Sequence, residues 1–197
     1  MNMTKKDVSF FIRVIGVLLV ITMCVAGLLS LVNMITRDRI AAIEVEKTNA
    51  AIKALFIGVS DPKGSDAPVY TSEQDTALEG LYEVKSGDAI VGYYAKVAPK
   101  GFKDKVNMLV GLDTEGKVCG IQIISHGETV GIGDKIEDES FRSLFNGKSG
   151  VLTYKKGADN SGSLMDGISG ATYSSKAVIA GVSSACAAYE AYKGGAV

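Results

Sequence analysis

One long apolar stretch, from Val14 to Thr36, has no charged side chain. At a helical rise of about 1.5 Å per residue it reaches about 34 Å, more than the hydrocarbon thickness of about 30 Å. It is longer than the apolar region of a signal peptide, and no A-x-A-like cleavage site follows it. The residues before Cys24 also do not match the small-residue pattern of a lipoprotein signal. We therefore predict an uncleaved transmembrane helix over residues 14–36.

The charges beside this stretch indicate its orientation. Three basic residues precede it and two follow it, namely Lys5, Lys6, Arg13, Arg37 and Arg39. By the positive-inside rule, the excess before the stretch favours a cytoplasmic N-terminus. We predict a single-pass protein of the inner (cytoplasmic) membrane, in contact with lipid, whose C-terminal domain lies on the extracytoplasmic side.

Strand patterns precede helix patterns in the rest of the chain. Residues 37–57 have the 3–4 apolar spacing of a helix that continues out of the membrane, ended by Asp61–Gly64. The polar residues 60–78 contain two prolines and indicate a linker or surface loop. Four strands are predicted after it, at residues 81–84, 90–97, 105–112 and 118–124. The last two strands flank a short turn and predict a hairpin.

Two helices are predicted after the strands. One covers residues 138–145, and a longer one covers residues 174–192, with Ser174 or Ser175 as its N-cap. Strands followed by helices indicate an α+β fold with one N-terminal transmembrane helix and an antiparallel-sheet domain with packed helices. The predicted division is a cytoplasmic N-terminus, a transmembrane helix, a helix with a linker, and a C-terminal domain, at residues 1–13, 14–36, 37–78 and 79–197.

Composition excludes two classes of site. The formal net charge is -1, there is no tryptophan, and no basic cluster occurs, so a nucleic-acid surface is not expected. The three cysteines are far apart and His126 is the single histidine, so no metal-ligand spacing occurs. Cys119 and Cys186 can pair only if folding brings them together.

A small, glycine-rich segment lies directly before the last predicted helix. It reads Asp166-Gly167-Ile168-Ser169-Gly170-Ala171-Thr172. Its glycines allow tight turns and the close approach of a ligand, and the helix start offers unpaired N–H groups and the positive end of the helix dipole. These features suit a phosphate, and they also suit an ordinary loop with a serine cap.

The order of residues in this segment resembles the flavinylation motif of the FMN-binding domain family. That motif has Asp, Gly or Ala, any residue, Ser or Thr, Gly, Ala, and then Ser or Thr, and residues 166–172 match every fixed position. In that family the last hydroxyl residue carries FMN through a phosphoester bond made by a flavin transferase that uses FAD. The resemblance implies covalent FMN on Thr172 and a binding loop formed by Asp166, Gly167, Ser169, Gly170, Ala171 and Ser174.

A second segment, Ser125–Gly133, follows the fourth predicted strand. By itself it is a polar turn whose histidine is either a solvated loop residue or a group that titrates near neutral pH. It resembles the family's His-x-Glu-Thr-Pro-Gly-Leu-Gly segment, which contributes to the flavin pocket. The resemblance implies that flavin contacts come from His126, Glu128, Thr129 and Gly131. Valine and isoleucine replace the motif's proline and leucine, so we expect a less stiff loop.

Within this family, the anchor and layout resemble the G subunit of the Rnf complex, an ion-translocating ferredoxin:NAD oxidoreductase of bacterial membranes. The resemblance implies an electron-transfer subunit that acts with other membrane and iron–sulfur subunits after a flavin transferase has attached its FMN. The sequence has neither a nicotinamide fingerprint nor an iron–sulfur ligand set. We therefore expect an electron relay without catalytic residues for a substrate of its own.

Other functions are compatible with the same motifs. The C subunit of the sodium-translocating NADH:quinone reductase has the same anchor and motif. An extracellular electron-transfer flavoprotein outside a pump is a second alternative. A scaffold or sensory subunit with a structural flavin, and a binding domain without flavin, are the remaining ones.

Overall fold

A computed structural model describes residues 5–155 and 163–195. Part of the predicted cytoplasmic N-terminus (residues 1–4) and parts of the predicted C-terminal domain (residues 156–162 and 196–197) lie outside the described residues. The chain forms two compact units, Met1–Val45 and Glu46–Val197. The finer domain limits that the sequence suggests stay predictions.

The first helix, α1, extends from Lys5 to Leu55 without interruption. It unites the predicted transmembrane helix with the helix predicted after it, because residues 37–55 contain neither glycine nor proline. Among the described residues, α1 is the one helix that is long and apolar enough to cross a membrane. Its large apolar side chains between residues 14 and 35 are exposed, as a surface covered by lipid would be. The helix ends before the predicted Asp61–Gly64 signal, three residues ahead of Gly58, whose φ is +93°.

Five antiparallel strands form the main sheet in chain order. They are β1 (Lys63–Gly64), β2 (Leu78–Ser86), β3 (Ala89–Val97), β4 (Asn107–Leu112) and β5 (Val118–Ser125). Each pairs only with its neighbours in sequence, so the sheet is a meander with short connections. The predicted antiparallel α+β fold is confirmed, and so are the four predicted strands, with shifted ends.

The predicted linker at residues 60–78 is more ordered than its composition indicates. Its first part supplies β1, which pairs with β2 through Lys63 and Lys85. Farther along, the backbone N–H of Val69 donates to the carbonyl oxygen of Leu81 over 2.7 Å. Residues 60–78 therefore extend the sheet edge instead of spanning free space.

Side chains of the sheet alternate between two apolar cores, as the period of two of a β-strand requires. In β4, Met108 and Val110 belong to a core shared with the last helix, α3 (Thr172–Lys193), whereas Leu109 belongs to a core shared with the end of α1. Gly111 lies on this second face, where a Cβ atom would lie 3.2 Å from the Cβ of Leu55, so a larger residue would require a small shift of Leu55. The sheet is thus covered on both faces.

Short elements connect β5 to α3. The helix predicted over residues 138–145 is instead divided into α2 (Glu139–Arg142) and a 3-10 helix (Ser143–Phe145), and another 3-10 helix (Gly133–Glu137) precedes them. After them, β6 (Leu152–Tyr154) and β7 (Ser163–Met165) form a parallel pair that was not predicted. This pair sets the position of the glycine-rich segment, because residue 166 follows β7 directly.

The two cysteines outside the apolar stretch do not form a disulfide. Cys119 is exposed, Cys186 is buried in the core, and both thiols are free. Burial raises the pKa of Cys186 to about 11, so this thiol is un-ionised at neutral pH and behaves as a small apolar core residue.

The larger core provides a test of this packing. Phe145 is fully buried and its ring lies 5.4 Å from that of Phe141, centroid to centroid. We expect Phe145→Ala to lower the free energy of unfolding by about 3–5 kcal/mol, because the change leaves a cavity. Urea unfolding of the full chain in detergent, followed by the near-ultraviolet circular dichroism of its tyrosines, measures this loss.

The adjacent Leu144 supplies the matched control. It is 42% exposed, so Leu144→Ala should cost less than about 1 kcal/mol. Equal losses in the two variants would contradict the packing described here.

Candidate functional site

A cavity of about 380 Å³ lies where three segments of the domain meet. Its walls come from the loop after β3, the segment after β5 and the start of α3. Six residues that the motifs singled out line it, together with four others: Glu128, Thr129, Gly170, Ala171, Thr172 and Ser174, and then Phe102, Ile132, Gly133 and Tyr173. The volume is in the range of about 300–1,000 Å³ that is typical of small-molecule sites.

A tight turn presents the glycine-rich segment to the cavity. The backbone N–H of Ala171 donates to the carbonyl oxygen of Ile168 over 3.1 Å, and Gly170 has a φ of +84°. A type II turn requires positive φ at its third residue, which glycine adopts at low cost. The turn ends at Thr172, which is half-buried and is the first residue of α3.

The start of α3 differs from the prediction. The helix begins at Thr172, so Ser174 and Ser175 lie inside its first turn and neither is the N-cap. The N-cap is Ala171, which makes no side-chain hydrogen bond to the helix. The first N–H groups of a helix have no partner within it, so this helix start can receive an anion.

Ser175 has a structural role. Its hydroxyl accepts a hydrogen bond from the N–H of Ile168 over 2.9 Å and donates to the carbonyl oxygen of Ala171 over 2.9 Å. The residue is fully buried. Ser175 therefore attaches both ends of the turn that contains Gly170 to the body of α3.

The carboxylate of Glu128 joins the three walls of the cavity. Its Oε1 accepts hydrogen bonds from the backbone N–H groups of Phe102 (2.9 Å) and Lys103 (3.2 Å). Its Oε2 accepts a hydrogen bond from the hydroxyl of Ser174. Glu128 is only 6% exposed, and because all three segments bind one side chain, their relative positions depend on it.

The hydrogen bonds keep this buried carboxylate ionised. Burial has the largest single influence and raises the pKa of Glu128. The combined hydrogen bonds from Ser174 and from the backbone N–H groups of Lys103, Phe102 and Asp104 outweigh it, so the pKa lies below its ordinary value. Within the described residues, no basic side chain forms an ion pair with Glu128. The charge is therefore stabilised by dipoles alone.

Gly133 makes this arrangement possible on one side. A Cβ atom at that position would lie 2.8 Å from the Cβ of Glu128 and 2.9 Å from the Oγ of Ser174. Gly101 has the same role on the other side, where a Cβ atom would collide with the Oε1 of Glu128. The two glycines let the backbone close around the carboxylate.

His126 does not line the cavity, and it is not a solvated loop residue. Its side chain is 13% exposed, and its Nε2 lies 3.0 Å from the Oε1 of Glu137. Its Nδ1 accepts a hydrogen bond from the backbone N–H of Glu128 over 3.2 Å. His126 thus holds the backbone that carries Glu128.

Hydrogen bonds stabilise the loop that lacks the motif's proline. The carbonyl oxygen of Thr129 accepts from the N–H groups of Ile132 (3.2 Å) and Gly133 (2.8 Å). The N–H of Gly131, whose φ is +82°, donates to the Oδ2 of Asp134 over 2.9 Å. These contacts define the loop without proline at position 130.

Besides His126, four of the predicted site residues lie outside the cavity wall. Asp166 is exposed and forms a surface ion pair with Lys155 at 3.1 Å, and Ser169 is exposed in the turn. Gly167 lies against β6, because a Cβ atom there would collide with the ring of Tyr154. Gly131 is exposed in its loop.

Sequence analysis did not identify two aromatic residues that line the cavity. Phe102 and Tyr173 are 63% and 67% exposed, and their ring centroids lie 5.8 Å apart. Tyr173 follows the motif directly, which is a signal that sequence inspection can use. No sequence motif marks Phe102, because its position at the cavity depends on the hydrogen bond from its backbone N–H to Glu128, a residue distant in the chain.

Comparison with known proteins identifies the family to which this chain belongs. Residues 101–187 match the FMN-binding domain family. The G subunit of the Na(+)-translocating ferredoxin:NAD(+) oxidoreductase complex of Acetobacterium woodii is 30% identical over 207 residues, which cover 95% of this chain and 97% of that protein. The G subunit of the proton-translocating ferredoxin:NAD(+) oxidoreductase complex of Clostridium ljungdahlii is 33% identical over 115 residues, covering 58% and 62%.

Solved structures give a weaker likeness. The C subunit of the Na(+)-translocating NADH-quinone reductase of Parabacteroides distasonis is 20% identical, with a TM-score of 0.46 over 57% of this chain and 61% of that one. Shewanella oneidensis NqrC is 22% identical, also with a TM-score of 0.46, over 60% and 64%.

The lowered pKa of Glu128 predicts how stability depends on pH. The ionised carboxylate contributes stability above the pKa of a glutamate in the unfolded chain, about 4.3. That contribution is lost as the pH falls below this value through the lower pKa of the folded state, because the unfolded chain binds the proton first. Between about pH 4.5 and pH 3, we therefore expect the Tm of the wild type to fall more steeply than that of Glu128→Gln.

Thermal unfolding across this pH range measures the difference. Glu139→Gln is the control, since Glu139 is exposed and its variant should keep the wild-type slope. Parallel curves for the wild type and Glu128→Gln would show that Glu128 does not titrate in this way.

Proposed function

The chain belongs to the family of G subunits of ion-translocating ferredoxin:NAD⁺ oxidoreductase complexes, and we propose that it carries FMN covalently on Thr172 and relays electrons within such a complex. The observation that carries the proposal is the place of Thr172. This residue is at once the last position of the glycine-rich motif, the first residue of α3 and part of the cavity wall.

The start of α3 suits a phosphoester. A phosphate diester on the Thr172 hydroxyl has one negative charge and lies beside N–H groups that no side chain caps. The positive end of the helix dipole stabilises an anion there, by about 0.3–1 kcal/mol at an exposed site. The φ of Gly170 lets the backbone turn away from this position.

The cavity mouth suits a flat ring system. Ile132, Phe102 and Tyr173 line it and are all exposed, although large apolar side chains are more often buried. An aromatic ligand beside Thr172 would cover them and contact the rings of Phe102 and Tyr173. Bound FMN supplies one- and two-electron transfer, while the chain's residues bind it, orient it and limit its contact with water.

Attachment requires a partner enzyme. In the proposed reaction the Thr172 oxygen forms a bond to the FMN phosphorus of FAD, the bond from that phosphorus to the AMP oxygen breaks, and AMP leaves. The hydroxyl proton passes to a base of the flavin transferase. Asp166 precedes the turn and Ser169 lies in it, and both are exposed, so a transferase can contact them.

The remaining site residues have supporting roles in this proposal. Glu128 and Ser174 hold the cavity walls together, Gly167 and Ala171 shape the turn, and Thr129 lines the opening. His126 and Gly131 act one step farther out, through the backbone of the loop.

The partners follow from the proposed relay. A relay needs a donor and an acceptor, and we propose that other membrane and iron–sulfur subunits of the complex pass electrons to the flavin and receive them from it. We place residues 1–13 in the cytoplasm, α1 across the inner membrane and the flavin domain on the extracytoplasmic side.

Thr172→Ala tests the attachment. Wild-type chain co-produced with a flavin transferase should give a band that fluoresces under ultraviolet light after denaturing electrophoresis, because a covalent flavin survives unfolding. Its mass should exceed that of the polypeptide by one FMN less one water. Thr172→Ala should lose both signals, whereas Thr172→Ser should keep them because the motif accepts either hydroxyl.

Thr71→Ala is the matched control, since Thr71 is exposed and lies far along the chain from the motif. It should fluoresce like the wild type. A dark wild-type band in the presence of an active transferase would refute covalent attachment.

The side of the membrane has its own test. Cys119 is the exposed cysteine of the flavin domain, so a membrane-impermeant maleimide should label it in spheroplasts with a sealed membrane. Partial burial raises the pKa of the Cys119 thiol, so labelling is done at mildly alkaline pH. Cys119→Ser is the control and should remain unlabelled. Labelling of Cys119 only after the membrane is opened would place the domain in the cytoplasm.

A further inference from the structure

The wall of the cavity contains a negative charge for which the described residues provide no ion-pair partner. Glu128 lines the cavity and is 6% exposed. Within residues 5–155 and 163–195 its carboxylate makes no ion pair, and its hydrogen bonds come from one hydroxyl and from backbone N–H groups. Dipoles stabilise such a charge without cancelling it, so its field extends into the cavity.

We propose that the charge of Glu128 sets the reduction potential of the flavin in this cavity and keeps it more negative than an uncharged wall would. The inference rests on the proposed function, since it takes the flavin to occupy this cavity. Each electron that enters the flavin adds one negative charge unless a proton follows it. A fixed negative charge nearby opposes that addition, and burial weakens the screening by water.

The geometry fixes where this charge stays. Oε1 is held by the backbone of Phe102 and Lys103, and Oε2 by Ser174 at the start of α3. Gly133 closes the remaining side, because a Cβ atom there would lie 3.0 Å from Oε2. Hydrogen bonds on both oxygens therefore hold the carboxylate in the cavity wall.

Glu128→Gln removes the charge and preserves the hydrogen bonds of the side chain. The amide oxygen can still accept from the N–H groups of Phe102 and Lys103, and the amide nitrogen can donate to the Oγ of Ser174. The walls of the cavity thus keep their links while the charge disappears. We expect Glu128→Gln to retain covalent flavin and to shift the midpoint potential to a more positive value.

Ser174→Ala provides a second variant with the opposite expected sign. It keeps the carboxylate and removes the hydroxyl whose proton points at Oε2 and partly screens it. The backbone N–H groups remain, so the charge persists with less screening. The midpoint potential should become more negative. A purely structural disturbance of the site would instead shift both variants in the same direction.

The experiment is a spectroelectrochemical titration of the flavinylated, full-length protein in detergent, with gel fluorescence of the same preparations. Glu79→Gln removes the charge of an exposed carboxylate on β2 and should leave the potential unchanged. An unchanged or more negative potential in Glu128→Gln overturns the proposal, and so does an unchanged or more positive one in Ser174→Ala.

Either variant decides the question if the other fails to load flavin. A wild-type band without fluorescence overturns the covalent site and this inference together. A fluorescent wild type whose variants do not shift as stated overturns only the role of Glu128.

Discussion

The packing of α3 against the sheet is the contact on which the site depends. Val178 and Val182 of the helix are fully buried in the core that also contains Met108 and Val110 of β4. Burial of such side chains contributes roughly 1.5–3 kcal/mol each, so the axis of α3 is fixed along the sheet. Its first residue, Thr172, is therefore held in one place by contacts about two to three turns away from it.

A buried charge then completes the site. Without Glu128, the loop after β3 and the segment after β5 would contact α3 mainly through van der Waals packing. The carboxylate adds directional hydrogen bonds to both backbone and helix, and it does so at the cost of removing a charge from water. Proteins usually keep such a group only where its hydrogen bonds are satisfied. Here the same bonds that satisfy it also define the shape of the cavity.

The second face of the sheet packs against the C-terminal end of the long helix α1. Leu55, the last residue of α1, and Phe56, which follows it, pack against β-strands whose glycines admit them closely, as at Gly92, where a Cβ atom would lie 2.5 Å from the ring of Phe56. The last turn of α1 and the residue after it are thus part of the folded domain.

Sequence alone determined the features that depend on local pattern. The apolar stretch at residues 14–36, the four strands between their turns and the order of residues 166–172 are all legible without coordinates, since each depends on neighbours in the chain. The tertiary structure decided what depends on distant partners. It placed Phe102 in the cavity wall and paired β6 with β7. It also buried Ser175, a predicted N-cap candidate, inside the first turn of α3, where its hydroxyl hydrogen-bonds to the turn. It turned His126 away from the cavity towards Glu137. None of these follows from residue type, because each is set by which segments fold against one another.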